Sequence, residues 1–137
     1  MIVVDTNVWS EGTKREPNPV VRAWARQHQD ALWLSAVVLA ELRAGAALLP
    51  TGRRRRALED LFDALETLYG DRLLPFDAAT ARHYGLVLEA ARQRGRPIST
   101  ADAMIAATAL QHGAAVATRN TGDFAGAPVQ LINPWQP

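Results

Sequence analysis

The sequence predicts an α/β fold: a short parallel sheet of about five strands flanked by helices, in one domain over residues 1–137. Three observations predict it. Short runs of β-branched and aliphatic residues alternate with longer segments of helical periodicity. The long segments open on capping residues and close at glycine or proline. The first apolar run, Ile2-Val3-Val4, stops abruptly at Asp5-Thr6-Asn7. A buried strand that ends this way delivers a carboxylate to the sheet edge where ligands bind in open α/β sheets.

Taken in order, Ile2–Val4 reads as a buried strand followed by a polar turn. Asn18 caps a helix that starts at Pro19 and runs through Val20–Gln27, proline being well suited to a first helical position. Ala31–Leu34 is the second strand, and Ser35 caps a helix over Ala36–Leu49, ended by Pro50 and Gly52. In Arg53–Tyr69 the residues Leu58, Leu61, Phe62, Leu65 and Leu68 recur at helical spacing. Leu73–Phe76 is the third strand, and Asp77 caps a helix reaching Arg94. Gly95-Arg96-Pro97 breaks the chain before Ser99 or Thr100 caps a helix over Ala101–His112. Ala114–Thr118 and Val129–Ile132 complete the strands.

Composition narrows the function classes. No apolar stretch approaches the ~20 residues of a membrane span, and Asp5 interrupts the N-terminal run too early for a signal peptide. The absence of cysteine excludes disulfides and thiolate zinc sites and is compatible with a cytoplasmic protein. The net charge of +1 excludes strong bulk attraction to nucleic acid, yet 14 of the 15 basic residues are arginine. Arginine suits bidentate phosphate contacts, and GC-rich coding gives the same arginine and alanine usage.

Three acids stand where apolar segments meet the predicted sheet edge. Asp5 ends the first strand; Glu41 lies among Val37, Val38 and Gly45; Asp102 lies in the first turn of an otherwise apolar helix. Singly, each has a plain explanation: an Asx-turn, an exposed helix residue, and a favourable charge at a helix N-terminus. Jointly they would repel if brought together, and a hard divalent cation resolves that repulsion with oxygen ligands and retained waters. His28, His83 and His112 lack metal-ligand spacing, and no phosphate-loop, dinucleotide or G-x-S-x-G pattern occurs.

Four stretches carry a family resemblance. Val4-Asp5-Thr6-Asn7-Val8, Ser35 with Ala40-Glu41-Leu42, Thr100-Ala101-Asp102-Ala103-Met104-Ile105-Ala106, and Ala117-Thr118-Arg119-Asn120-Thr121-Gly122-Asp123-Phe124 stand in this order along the chain. Together they resemble the PIN-domain ribonucleases, in the subgroup of VapC toxins from toxin–antitoxin pairs. The ending Leu131-Ile132-Asn133-Pro134-Trp135 is similar to the FitB-type branch.

The resemblance implies an endoribonuclease that uses Mg²⁺, or Mn²⁺ in its place, and a metal-activated water. It assigns Asp5, Glu41 and Asp102 to the acidic triad and Thr6, Asn7 and Thr118 to polar positions lining the site. Some relatives carry aspartate where this chain has Asn120, so either Asn120 or Asp123 completes the cluster. It also implies a homodimer and a VapB-like antitoxin covering the acidic groove, in a heterotetramer or larger assembly.

The run Arg53-Arg54-Arg55-Arg56 opposes its helix dipole and reads either as a solvated helix start or as a face for phosphate or an acidic partner. Arg43 is read as an RNA contact or an ion-pair partner, with Arg53 and Arg54 as further RNA contacts. Trp9, just past Asp5, is expected near the site mouth. Two other classes are open at this point. One is a silent RNA-binding or regulatory module of the same fold, motivated by Asn120. The other is a phosphatase with Asp5 as nucleophile, which lacks the second acid because Asn7 occupies its position.

Overall fold

The computed structural model describes all residues, Met1 to Pro137. Five strands form one parallel sheet in the order β3-β2-β1-β4-β5. They are β1 (Ile2–Val4), β2 (Leu32–Ser35), β3 (Leu73–Leu74), β4 (Ala115–Ala117) and β5 (Leu131–Ile132). β1 lies at the centre, with Ile2 opposite Leu32 on one side and Ala115 on the other. The chain builds outward from β1 through β2 to β3, then returns across the sheet to β4. The order therefore reverses between β1 and β4, and the crevice beyond their carboxyl ends is the expected ligand position.

Six helices cover the sheet: α1 (Thr6–Gly12), α2 (Pro19–Gln27), α3 (Ala36–Ala47), α4 (Arg53–Tyr69), α5 (Ala78–Gln93) and α6 (Thr100–Gln111). The predicted caps form. Asn18 Oδ1 accepts from the Val20 amide at 2.9 Å, Ser35 Oγ from the Val38 amide at 3.1 Å, and Ser99 Oγ from the Asp102 amide at 3.1 Å. Asp77 and Thr80 make a reciprocal capping box. α6 is apolar nearly all round, and Ala103, Ile105, Ala106, Ala107 and Ala109 are all buried. Its alanines let it lie close against the sheet, so Asp102 near its start is carried to the sheet edge by a rigid element. No helix is long and apolar enough to cross a membrane.

The structure departs from expectation in one element and several boundaries. The segment after Asp5 is a helix, α1, rather than a polar turn. β2 extends to Ser35, α3 ends at Ala47, β3 stops at Leu74 and β5 starts at Leu131. α5 ends through Gly95 in the left-handed region (φ 63°), where glycine carries no steric penalty. The Arg96 amide donates to Ala91 O at 2.9 Å, and Arg94 Nη1 donates to Gly126 O at 3.1 Å. The second bond ties the end of α5 to the loop after β4.

Candidate metal centre

Asp5 is 6 % exposed and serves two structures at once. Its Oδ1 accepts from the Thr6 amide at 2.7 Å and so caps α1. Its Oδ2 accepts from Thr118 Oγ1 at 2.7 Å and from Asn7 Nδ2 at 3.2 Å. Thr118 is fully buried at the end of β4, and its hydroxyl also accepts from the Asn120 amide at 3.1 Å. Asn7 Oδ1 in turn accepts from the Arg119 amide at 3.2 Å. The two strands flanking the reversal point are thus stitched together by polar side chains, with the Asp5 carboxylate at the middle.

Glu41 reaches the same place from α3, where its Oε1 accepts from Thr6 Oγ1 at 2.7 Å. Asp102 approaches from α6. Its carboxyl is pushed up to about 6, first by burial, against the lowering effect of Ser99, and then by repulsion from Asp5, Asp123 and Glu41. Asp5 is also raised, chiefly by burial, with Thr118 and Thr6 opposing and Glu41 and Asp123 adding repulsion. Asp123, on the 3₁₀ turn Thr121–Phe124, contributes to both shifts and supplies the fourth negative charge. Asn120 meets the cluster through its backbone amide.

None of the four acids forms an ion pair with lysine or arginine. Nor do any three close to the spacing of a preformed metal cage. This is an open, all-oxygen donor set with uncompensated charge. It fits a hard divalent cation that keeps several waters and takes few direct carboxylates, as Mg²⁺ does. It lacks the histidine and cysteine ligands that predominate in zinc sites. His28 Nδ1 and His83 Nδ1 instead lie at 2.9 and 2.8 Å from the carbonyls of Trp24 and Ala79, within their own helices.

Of the two readings of Arg43, the structure shows the ion pair. Arg43 is an ion-pair partner, with Nη2 at 2.9 Å from Asp63 and 2.8 Å from Glu66, and so clamps α3 to α4. Its Nη2 serves both carboxylates. Trp9 is held within the fold: Nε1 donates to Val4 O at 3.1 Å, and the ring meets Tyr69 edge-on at 5.2 Å. In the arginine run, Arg54 donates to Thr13 O and Arg55 pairs with Glu59, while Arg53 is exposed. Glu11 and Arg119 escaped the sequence reading. Glu11 is buried and ion-paired to Lys14 at 2.7 Å, and Lys14 holds its carboxyl below the ordinary range.

The fold and the site together define a parallel α/β domain with a cluster of acidic side chains at its topological reversal point. The PIN domain family model matches residues 2–128. The VapC ribonuclease Y4jK of Sinorhizobium fredii is 46 % identical, the match covering 100 % of this chain and 99 % of the relative. Toxin FitB of Neisseria gonorrhoeae is 44 % identical over 98 % and 99 %. The crystal structure of FitAcB from Neisseria gonorrhoeae superposes with a TM-score of 0.93 at 42 % identity, covering 100 % of each chain. The chain belongs to the PIN-domain family, in the branch of VapC ribonucleases and FitB-type toxins.

Proposed function

We propose that this chain is the toxin of a toxin–antitoxin pair and hydrolyses RNA at the centre formed by Asp5, Glu41 and Asp102, with Asp123 completing it. The observation that carries the site assignment is the convergence of four carboxylates, none ion-paired, on one edge of the sheet, where Asp5, Asp123 and Glu41 together help push up the Asp102 carboxyl. The relatives named as a ribonuclease and as a toxin supply the reaction class.

Asp5, Glu41 and Asp102 are the residues that would hold Mg²⁺, with Asp123 nearby adding negative charge. When bound, the cation neutralises charge on the phosphate and makes a water acidic enough to attack phosphorus in line. The chain's own residues prepare for it. Thr118 and Asn7 fix the Asp5 carboxylate by donating to Oδ2, and the Thr6 amide fixes Oδ1. Thr6 Oγ1 turns Glu41 inward, leaving its other oxygen free. The raised Asp102 carboxyl holds its proton until a cation or rising pH removes it.

The remaining expectations follow from the same relationship. An antitoxin partner fits the relative named as a toxin and the solved FitAB complex bound to a DNA fragment. A homodimer is supported by the exposed leucines Leu48 just after α3, Leu61 and Leu68 on α4, and Leu86 and Leu88 on α5. The absence of cysteine supports a reducing cytoplasm as the place of action.

The test is cleavage of total RNA by the purified protein with Mg²⁺, with and without EDTA, beside Asp5→Asn. Cleavage that needs the cation and is lost in the variant is the expected result. Equal cleavage by the variant, or none by the wild-type chain, overturns the proposal.

A further inference from the structure

Four carboxylates at one edge repel an RNA strand, so some cation near them must draw the strand in without neutralising them. Of the arginines of α3 and α4, Arg43 and Arg55 are ion-paired and Arg54 bonds a carbonyl, while Arg53 and Arg56 are exposed but bonded to no residue that lines the acids. Arg119 is different. It is exposed and lies one residue beyond Thr118, on the loop that leaves β4 for Asp123. It forms no ion pair, and no side-chain nitrogen of it donates to a protein acceptor.

Its charge also helps hold down the carboxyl of the buried Glu11, and two restraints fix its position on the loop between Thr118 and Asp123. Its amide donates to Asn7 Oδ1 at 3.2 Å, which ties its backbone to the wall of the site. Its guanidinium carbon lies 5.1 Å from the ring centre of Trp135, within cation–π range. Trp135 is itself anchored, since its amide donates to Asn133 Oδ1 at 3.0 Å and Pro134 before it is fully buried. The face of the guanidinium is thus engaged while its fork of N–H donors is free, which is the arrangement suited to a phosphate.

We propose that Arg119, braced by Trp135, grips a backbone phosphate of the RNA adjoining the one that is cut. This rests on the nuclease reading above. The ligand is a phosphodiester of single-stranded RNA, and the contact is one of charge and fork geometry without base readout.

The test separates binding from cleavage. Asp5→Asn protein in EDTA is titrated with fluorescein-labelled single-stranded RNA, and anisotropy is followed across a potassium chloride series. Adding Arg119→Ala lowers affinity about tenfold at low salt and reduces the slope of log affinity against log salt by about 0.7, one single-strand phosphate. Arg119→Lys keeps the charge and restores the slope. Trp135→Leu keeps the slope and weakens binding about threefold. A tether that merely secures the C-terminal tail would lower the melting temperature and leave the slope unmoved. An unchanged slope in Arg119→Ala, or a slope lost in Arg119→Lys, overturns the inference while the nuclease reading stands. Unchanged affinity in Trp135→Leu overturns the brace. No salt-dependent RNA binding by the Asp5→Asn parent overturns both readings.

Discussion

Asp5 accepts three hydrogen bonds while almost out of reach of solvent, and those bonds come from a helix start, a neighbouring side chain and the adjacent strand. The carboxylate is therefore both an N-cap and a ligand candidate. Asparagine caps a helix about as well as aspartate, so Asp5→Asn should keep its fold to within about 1 kcal/mol while losing RNA cleavage. Thermal melting and a cleavage assay check the two halves. Thr118→Val removes the hydroxyl that orients Asp5 and should weaken cation binding about 10- to 100-fold, the usual cost of losing such a support. Asp102 adds a pH dependence. Its folded pKa of about 6 lies above the ordinary 3.8, so the fold favours its protonated form. Its stabilising contribution is full below the ordinary value and is lost as pH rises through about 6. Without metal, the wild-type melting temperature should therefore fall more between pH 5 and pH 7.5 than that of Asp102→Asn. Cation affinity should run the other way, dropping below about pH 6 as the proton competes.

At the scale of elements, the carboxyl-edge loops depend on close contact. A Cβ at Gly126 would stand 2.7 Å from Arg96 O and 2.9 Å from its Cβ, so backbone would have to move. Gly126→Ala should cost about 1–3 kcal/mol through that overpacking and disturb the loop between α5 and α6 that leads to Asp102. Chemical denaturation and the cleavage rate both report it. Arg43→Ala should be nearly silent in both, because its pairs with Asp63 and Glu66 are exposed and such pairs contribute at most about 1 kcal/mol. Most elements were legible because their signals are local. Ser35, Asp77 and Ser99 announce helix starts, and α6 shows its burial in its run of apolar residues. Asp102 stood out against that run. Helix α1 did not, since seven residues give less than two full helical repeats and Asp5-Thr6-Asn7 has the composition of a turn. The Arg43 clamp was equally hidden, because its partners lie 20 and 23 residues away on another helix. Arg119 and Trp135 carried no periodic or spacing signal; only the folded chain brings them together.

Across the whole molecule, a net charge of +1 conceals a division of sign. Four acids gather at one edge, so the remaining surface is net basic and suited to a polyanion that must reach an acidic centre. The sheet order makes this arrangement possible, since the reversal between β1 and β4 opens the crevice where Asp5 and Thr118 meet. Exposed leucines just after α3 and on α4 and α5 leave apolar surface uncovered in a single chain. Light scattering should accordingly give twice the 14.9 kDa chain mass. The central claim is that Asp5, Glu41, Asp102 and Asp123 act as one site for a divalent cation. Titration calorimetry of Mn²⁺ into the metal-free chain at pH 7.5, with Asp102→Asn alongside, tests it most directly. Saturable binding by the wild-type chain, abolished or severely weakened in Asp102→Asn, is the expected result. Absence of binding by the wild-type chain, or identical binding by the variant, would contradict it.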